Sequence, residues 1–470
     1  MEKKHIHVVG IAGVATSAIA IALTNVGWKV TGSDKGFFPP VSDALEKASI
    51  PFYAGWHPEK MTQNGTPDMV MIGGSGKSSK NPEMIFAREH NIPIFSYPEI
   101  IEKYFLRANS LVCAGTWGKT TTSALLSFIF EEAGKNPTYM FGGLSRSQNE
   151  SAKLSEGDWS ILEGDEYTGS QTDNVAKFLH YHPTHLLMTS IFWDHADVYS
   201  TPELYFRAFE KLIEKMGKKS VIVACRDDLK ATEICQKAEG AKIITYGKSD
   251  GDYRYTDVKS GKEGISFVIE MGGEKFAIRS PMLGAFQAEN ISGAFAMALL
   301  CGINRDTIVV SIANFKGLKR RIEKRYGGEI TVIDDIAHSP QKAKAVLSTL
   351  KEIYSGNIYA VFEPNQGGRE RSSLPQYAHA FKDAYEIIIP KLSSIKSKID
   401  SSKAFNLPLQ GSELAKIISQ THPKSTYIES DDKLVKHLKE TARPGDCIVF
   451  LGSHSFRGMI VELIGQIQES

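Results

Sequence analysis

The chain has 470 residues, of which 42% are hydrophobic and 23% charged, and its 55 basic residues nearly balance 54 acidic ones. This length exceeds what one hydrophobic core holds, so we expect about three domains. A formal net charge of +1 gives no general attraction to nucleic acid or to an anionic membrane, so we expect neither as a partner.

The apolar runs of the chain alternate with helical patterns, which predicts buried parallel strands joined by helices. The runs are, in chain order, HIHVVGI, KVTGSD, DMVMIGG, IPIFSY, SLVCAG, WSILEGD, HLLMTSI, SVIVAC, KIITYG, ITVIDD, IYAVFEP, YEIIIP and CIVFLGS. The glycine-rich stretch 251–282 predicts hairpins. We predict a three-domain α/β protein. A Rossmann-like domain covers 1–107, a central domain with a P-loop ATPase-type parallel sheet covers 108–314, and a second Rossmann-like domain covers 315–470.

The cysteines are scattered and odd in number, and no CxxC pair occurs: Cys113, Cys225, Cys235, Cys301 and Cys447. Such a set does not build a disulfide framework and indicates a reducing compartment. No run of about 18 apolar residues is present to span a bilayer. We therefore expect a cytoplasmic protein, as a monomer or a weak homodimer.

The first turn of the chain, in VVGIAGVATSAIA, carries a Gly-x-x-Gly pattern at Gly10 and Gly13 between a strand and a helix. As a dinucleotide-binding pattern it is incomplete, because Ala15 takes the place of the last glycine. Asp34 ends the second strand, where an acidic residue reaches a ribose or a uracil. A nicotinamide oxidoreductase is one alternative, but it leaves the next motif unexplained.

That motif is VCAGTWGKTTTSALLSF, residues 112–128, in which a strand runs into a loop and a helix follows. In a phosphate-binding loop of this kind, backbone N–H groups face the phosphates, Lys119 reaches the β- and γ-phosphates, and the Thr120 hydroxyl binds Mg²⁺. The strict motif requires glycine at Cys113, so only a shorter pattern is present. An ordinary strand-to-helix turn is the alternative.

Acidic and histidine residues follow the loop. WSILEGDEY places Glu163, Asp165 and Glu166 at the carboxyl end of a strand, which beside a phosphate loop predicts a Mg²⁺ site. A solvated acidic turn is the alternative. HYHPTH, 180–185, invites interpretation as a metal cluster, but it lacks a matching distant pair, so we favour a structural role.

GTWGKTTT, together with the segments HLLMTSIFWDHADVY, GAFQAENISGAFAMA, FKGLKRRIEKR and VIDDIAHSP, resembles the Mur ligase superfamily over nearly the whole chain. The resemblance implies ATP and Mg²⁺ as cofactors, and Lys119, Glu163 and His195 as catalytic residues. The metal ligands that it implies are Thr120, Glu163 and His195. The nucleotide-binding residues that it implies are Gly115, Thr116, Gly118, Lys119, Thr120, Thr121, Asn290, Arg320, Arg321, Asp335 and His338.

The resemblance also implies that the first domain binds UDP-N-acetylmuramate, through Gly10, Gly13, Ser17, Asp34 and Ser75. Taken alone, the basic run Lys316 to Arg325 instead favours a solvated helix face. The sequence departs from the family pattern at Gln287 and at six further positions: Trp117, Ser190, Phe286, Ile336, Ser339 and Asn365. These departures motivate the alternative of a Mur-like binding or regulatory protein with little turnover.

The function that the resemblance implies is ATP-dependent amide-bond formation through an acyl phosphate. The acceptor we expect is the peptide L-Ala-γ-D-Glu-meso-diaminopimelate, joined to UDP-N-acetylmuramate in peptidoglycan recycling. FFPPVSDALEKASI, GGSGKSSKNPEM and the segment from LEGDEY to KFLHY favour this peptide. The alternative is a ligase that adds L-alanine to the same sugar nucleotide in peptidoglycan synthesis. Where the family has an arginine, EPNQGGRER has Asn365, and we hypothesise that Arg369 and Arg371 replace its charge.

Overall fold

The computed structural model describes residues 3–74, 80–148, 150–169, 175–195, 198–393 and 408–469. These residues form a three-domain α/β architecture with three sheets. The chain divides into two compact units: one holds residues 1–258, 266–280 and 286–316, and the other holds 259–265, 281–285 and 317–470. Among the described residues, no helix has the length and apolar character needed to cross a membrane.

The first sheet has five parallel strands in the order β3-β2-β1-β4-β5. All five residues of β1 are buried, as expected for a strand covered on both faces. The strand order reverses between β1 and β4, and ligands of open α/β sheets bind at the carboxyl ends of such strands. The strands are β1 His5–Val9, β2 Lys29–Asp34, β3 Phe52–Ala54, β4 Met69–Ile72 and β5 Ile94–Ser96, and the helices are α1 Val14–Asn25, α2 Val41–Lys47, α3 Pro58–Thr62, α4 Pro82–Glu89 and α5 Tyr97–Tyr104.

The second sheet has ten strands in the order β15-β14-β13-β12-β11-β10-β6-β9-β7-β8. Strand β6 lies between β9 and β10 and is parallel to both, so the carboxyl ends of three strands meet at one edge. The strands are β6 Asn109–Ala114, β7 Thr138–Met140, β8 Ala152–Lys153, β9 Trp159–Gly164, β10 His185–Met188, β11 Val221–Cys225, β12 Lys242–Gly247, β13 Tyr253–Gly261, β14 Gly264–Met271 and β15 Glu274–Ser280. The helices are α6 Lys119–Glu132, α7 Pro202–Glu214, α8 Leu229–Cys235, α9 Gln287–Leu300 and α10 Arg305–Asn314.

The third sheet has six strands in the order β16-β17-β21-β18-β19-β20, and only the edge strand β16 is antiparallel to its neighbour. The strands are β16 Glu323–Gly327, β17 Thr331–Asp335, β18 Ile358–Glu363, β19 Glu386–Pro390, β20 Ser425–Ile428 and β21 Cys447–Gly452. The helices are α11 Pro340–Ile353, α12 Gly411–Ile418, α13 Asp431–Thr441 and α14 Met459–Gln468.

Every apolar run quoted above contains a strand, and residues 251–282 form β13, β14 and β15. The helix considered for the basic run 316–325 is wrong, because this stretch turns and then enters β16. Positive φ angles at Gly317, Arg320 and Ile322 prevent a helix there. The domain limits 1–107, 108–314 and 315–470 stay a prediction, since the first two sheets lie in one compact unit.

Candidate active site

The loop between β6 and α6 has the shape of a phosphate cradle. Gly115 and Gly118 have φ angles of +134° and +83°, which favour glycine. A Cβ at Gly115 would lie 2.1 Å from Thr189 Oγ1, and one at Gly118 would lie 2.4 Å from Asn290 Oδ1. Both glycines are therefore needed for the loop to pack this closely. The loop leads into α6, which begins at Lys119, and the N–H groups at a helix N-terminus bind anions.

The strict phosphate-loop motif fails at Cys113 for a structural reason. Cys113 is a buried strand residue within β6, paired with Leu187 on one side and Glu163 on the other. The loop therefore begins only at Gly115. The backbone two residues earlier is still part of the strand β6, where no turn requires a glycine. Burial raises the pKa of the Cys113 thiol to about 12.

The Lys119 ammonium is held inside this loop. Its Nζ donates to Gly115 O at 2.6 Å, to Thr116 O at 3.3 Å and to Glu166 Oε2 at 2.8 Å. Only 11% of the Lys119 side chain and 1% of the Glu166 side chain are exposed. The sequence indicated an acidic cluster here, but which carboxylate faces Lys119 depends on the loop after β9.

The oxygen atoms beside Lys119 are suited to Mg²⁺. Thr120 Oγ1 donates to Glu163 Oε1 at 2.8 Å, and Gly142 N donates to Glu163 Oε2 at 2.6 Å. A hydroxyl and a carboxylate are the hard oxygen ligands that Mg²⁺ prefers. The structure thus brings two of the three predicted metal ligands together, and their role as ligands stays a prediction.

His195, the third predicted ligand, lies against a different carboxylate. Its Nε2 is 3.5 Å from Glu166 Oε1, and its φ angle of +56° is uncommon for a residue with a side chain. The hydrogen bond to Glu166 raises the pKa of His195, opposed by burial and aided by the charge of Asp194. A protonated imidazole cannot bind a metal ion, so a raised pKa disfavours Mg²⁺ binding at His195.

A second cation, missed by the sequence analysis, lies near this site. Lys177 Nζ is 2.5 Å from Asp165 Oδ2 and lies 5.3 Å from the ring centroids of both Tyr97 and Tyr167. Burial would raise the pKa of Asp165, but the charge and hydrogen bond of Lys177 outweigh it and lower that pKa. Asp165 therefore forms an ion pair with Lys177, and the Lys177 side chain contacts Tyr97 in α5 of the first domain.

Asn290, one of the predicted nucleotide-binding residues, lies in the first turn of α9. Asn290 is 7% exposed, and its Nδ2 donates to Gln287 Oε1 at 3.1 Å. Its Oδ1 faces Gly118 and leaves no room for a side chain at that position. Phe286 and Trp117 are 49% and 59% exposed, and the Trp117 ring stacks on Phe192 with centroids 4.8 Å apart. Thr116 Oγ1 donates to Phe192 O, while Thr121 follows in the first turn of α6.

In the first domain, the predicted sugar-nucleotide residues cluster at the carboxyl ends of β1 and β2. Asp34 accepts from Ala12 N at 2.9 Å and from Lys35 N at 2.7 Å, and Gly10 has a φ angle of +93°. A Cβ at Gly13 would lie 2.8 Å from Thr16 Oγ1, and Ser17 Oγ donates to Val14 O. Ser75 lies outside the described residues. Asp34 therefore shapes the β1–α1 loop, and its contact with a ligand stays a prediction.

In the second unit, the side chains of Arg320 and Arg321 differ in their exposure and in their partners. Arg320 pairs with Asp334 at 3.3 Å and donates to the carbonyls of Gly452, Ser453 and His454. Arg321 is exposed. Arg320 thus fixes the end of β21, so of the two arginines Arg321 has the side chain accessible to a nucleotide.

Two other predicted nucleotide residues lie at the carboxyl end of β17: Asp335 is its last residue, and His338 is in the loop that follows. Asp335 accepts hydrogen bonds from Ile322 N and Ala337 N, each at 2.7 Å. These bonds lower the pKa of Asp335, but burial outweighs them and raises it. His338 Nδ1 is 2.7 Å from Ile336 O, and burial lowers its pKa, which favours the neutral ring. Their contacts with ATP stay predictions.

Arg369, one of the two arginines expected to replace the charge missing at Asn365, is buried, and that role stays a prediction. Arg369 is 5% exposed, and its guanidinium donates to Leu409 O at 3.1 Å and Ser393 O at 2.7 Å. It therefore supports the backbone of the third domain. Arg371 is exposed.

The histidine cluster after β9 has structural partners. His180 Nδ1 and His182 Nε2 lie 2.8 Å and 2.7 Å from the two oxygens of Glu102 on α5, which fits the predicted structural role. Within the described part of the chain, one group has side chains spaced for a metal ion: Cys225, Asp227 and Glu289. Burial and the charge of Asp227 raise the pKa of Glu289 to about 7.

The three sheets, the phosphate loop and the carboxylates around it define a multidomain nucleotide-binding α/β enzyme. Three family models match almost the whole chain: the Mur ligase family catalytic domain at 5–108, the Mur ligase middle domain at 113–298 and the Mur ligase glutamate ligase domain at 320–454. The chain belongs to the Mur ligase family, whose members are ATP-dependent ligases that form amide bonds and use ATP and Mg²⁺.

Named relatives match the chain from end to end. A UDP-N-acetylmuramate–L-alanine ligase from Rhizobium etli is 29% identical over 474 residues, covering 98% of this chain and 97% of the relative. The crystal structure of UDP-N-acetylmuramate-alanine ligase from Thermotoga maritima has a TM-score of 0.79, 21% identity and 99% coverage of both chains. That of a murein peptide ligase from Psychrobacter arcticus has a TM-score of 0.71, 21% identity and 99% coverage of both. These two structures support the fold alone.

The expectation of a tripeptide-joining ligase is wrong. The curated relatives that match the chain over its length, from Rhizobium, Agrobacterium and Methylocella among others, are named UDP-N-acetylmuramate–L-alanine ligases. The stretches that had favoured the peptide lie within residues 37–181, in the first two domains, which by resemblance bind the sugar nucleotide and ATP. The names of the relatives therefore outweigh these stretches as evidence on the acceptor. Membership of an enzyme family also removes the support for a binding protein with little turnover.

Proposed function

We propose that the protein joins L-alanine to the lactyl carboxylate of UDP-N-acetylmuramate, with ATP and Mg²⁺, in peptidoglycan synthesis. The observation that carries the proposal is the end-to-end match to relatives of that name, 29% identical over 98% of the chain. The geometry supports it, because Lys119 pairs with Glu166 and Thr120 with Glu163 at the carboxyl ends of β6 and β9.

The reaction has two steps. A carboxylate oxygen of the sugar acid attacks the γ-phosphorus of ATP, the bond to the bridging oxygen breaks, and an acyl phosphate and ADP form. The amine of L-alanine then attacks the acyl carbon, phosphate leaves with the bonding electrons, and the surplus amine proton passes to a base. Activation is required because a carboxylate is a poor electrophile at neutral pH.

The residues of this chain act mainly by positioning and charge, as in other phosphoryl transfers. The N-terminus of α6 and the Lys119 ammonium neutralise the phosphates in the first step. Thr120 and Glu163 would hold Mg²⁺, which supplies positive charge between two anions that otherwise repel each other. Gly115 and Gly118 allow the backbone to approach the phosphates closely.

The substrates of the proposed reaction fit different parts of the chain. The crevice between β1 and β4 is suited to the UDP group, because Gly10 and Gly73 bring the two loops together: a Cβ at Gly73 would lie 2.8 Å from Gly10 O. We assign L-alanine to the third domain, from the family pattern of that domain.

Lys119→Met tests the proposal at the nucleotide site. We expect ADP formation from ATP, UDP-N-acetylmuramate and L-alanine to fall by about 10²–10³-fold or more, while UDP-N-acetylmuramate binding stays near that of the wild type. A matched control is Lys153→Met, which removes a lysine that pairs with Glu131 at the same 2.8 Å distance, away from the loop. Equal ADP formation by both variants would contradict the proposal.

A further inference from the structure

Glu166 is a buried carboxylate at the centre of the site, and the reaction described above gives it no role. It is 0% exposed and accepts hydrogen bonds from Lys119 Nζ at 2.8 Å and Tyr205 OH at 3.1 Å. His195 Nε2 lies 3.5 Å away. Its backbone carbonyl accepts from Tyr199 OH at 2.5 Å. One carboxylate thus contacts two of the three predicted catalytic residues.

The ammonium group of Lys119 has three N–H donors, and the structure uses all of them. Two donate to carbonyls of its own loop, at Gly115 and Thr116, and the third to Glu166. A γ-phosphate that enters the loop must therefore replace at least one of these acceptors. Glu166 is the charged one, so it competes most directly with phosphate for the ammonium.

A hydrogen-bond chain extends from Glu166 to the other side of the loop. Tyr205 OH contacts Glu166 and also Thr116 Oγ1, at 2.8 Å, and Thr116 Oγ1 in turn contacts the backbone of Phe192. His195 follows Phe192 by three residues and has a positive φ angle. Glu166 is therefore connected to both walls of the cradle, at Lys119 and in the segment that carries His195.

We propose that Glu166 is a positioning residue: it holds Lys119 on its own loop until nucleotide binds, and it sets nucleotide affinity by competing with phosphate for the ammonium. This inference rests on the proposed function, because it needs a triphosphate in the loop. After the Lys119 ammonium has bound phosphate, the Glu166 carboxylate still faces Tyr205 and His195. It thereby keeps the segment that carries His195 in place for the transfer step.

Glu166→Gln separates this role from a purely structural one. The amide keeps the size of the side chain and one acceptor oxygen but removes the charge. Binding of Mg²⁺·ATP, measured by calorimetry without the sugar nucleotide so that no turnover occurs, should tighten by about tenfold, since a negative charge close to the phosphates is removed. The kcat with all substrates should fall by about tenfold or more, because His195 loses its charged partner.

Two further variants act as controls. Glu166→Asp keeps the charge but shortens the side chain, so Mg²⁺·ATP affinity should stay within about threefold of the wild type while kcat falls. Glu131→Gln removes a carboxylate at the far end of the same helix, which pairs with Lys153 at 2.8 Å, and should change neither quantity.

The outcomes are distinct. Unchanged or weaker Mg²⁺·ATP binding by Glu166→Gln, with a wild type that binds nucleotide, would overturn the role of Glu166 and leave the proposed function standing. Tighter binding by Glu166→Asp as well would also overturn it, because charge would then not be the cause. A wild type that does not bind Mg²⁺·ATP would overturn both.

Discussion

Replacing Glu83 by glutamine removes the charge from a fully buried carboxylate of the first domain. Glu83 Oε1 accepts from Tyr53 OH at 2.6 Å and from His57 N at 2.8 Å, and Oε2 accepts from Ser33 Oγ at 2.5 Å. His7 Nε2 lies 3.6 Å from Oε2. The carboxylate therefore ties strands β1, β2 and β3 to α4.

The expected loss of stability follows from these bonds. A hydrogen bond to an ionised group contributes about 1.5–3 kcal/mol and a neutral one about 0.5–1.5 kcal/mol, so weakening three bonds costs about 3 kcal/mol. Relief from burying a charge offsets part of this cost. We expect Glu83→Gln to lower the free energy of unfolding by about 2 kcal/mol.

The pH dependence gives this prediction a second test. Burial alone would raise the pKa of Glu83, but the hydrogen bond and charge of His7, with Ser33 and Tyr53, outweigh it and lower that pKa. A carboxyl with a lowered pKa in the folded state contributes stability above its unfolded pKa, and this is lost as pH falls through the folded pKa. The gap between wild type and Glu83→Gln should therefore shrink in acid.

Urea unfolding followed by circular dichroism, repeated from neutral to acidic pH, measures both quantities. The matched control is Glu59→Gln, since Glu59 forms an ion pair with His57 at 3.2 Å but is 71% exposed. Exposed pairs of this kind contribute about 0–1 kcal/mol. A loss for Glu83→Gln no larger than that of Glu59→Gln, or a gap that stays constant as pH falls, would refute the reasoning.

Two further predictions concern the nucleotide residues. Thr120→Val removes the hydroxyl that donates to Glu163 at 2.8 Å. The Mg²⁺ concentration for half-maximal ADP formation should therefore rise and kcat should fall by about 10²-fold, with little change in melting temperature. An unchanged Mg²⁺ requirement would show that Thr120 is not a metal ligand. Arg320→Ala should lower the free energy of unfolding by about 2 kcal/mol, because the buried Asp334 loses one of its two arginine partners and three carbonyls lose their donor. Arg321→Ala should leave that free energy unchanged and raise the KM for ATP. The reverse pattern in denaturation and kinetics would contradict this division.

The sequence predicted most of the fold because its strands are continuous apolar runs. Strands such as β18 and β21 are buried along their whole length, and most of their residues are apolar. The strands missed, such as β3 and β20, are short and partly exposed, and their residues do not differ from those of loops. The turn before β16 was missed because two of its three positive φ angles fall on Arg320 and Ile322, residue types that do not signal a turn.

For the candidate site, the sequence placed the loop but not the contacts within it. The order of Gly115, Gly118 and Lys119 between a strand and a helix is a local property, so it was visible. The pairing of Lys119 with Glu166 depends on the path of a loop 47 residues further along, which no local pattern encodes. The acceptor was predicted wrongly, because the stretches used for it lie within residues 37–181 and none of them comes from the third domain.

The most direct test of the proposed reaction is phosphate release by the purified protein with ATP, Mg²⁺ and UDP-N-acetylmuramate, with a panel of amines compared in parallel. We expect release with L-alanine to depend on all four reactants and to yield UDP-N-acetylmuramoyl-L-alanine by mass spectrometry. Glycine, D-alanine and L-Ala-γ-D-Glu-meso-diaminopimelate serve as comparison amines and should give much lower rates. Release that is independent of L-alanine, or faster with the tripeptide than with L-alanine, would contradict the account.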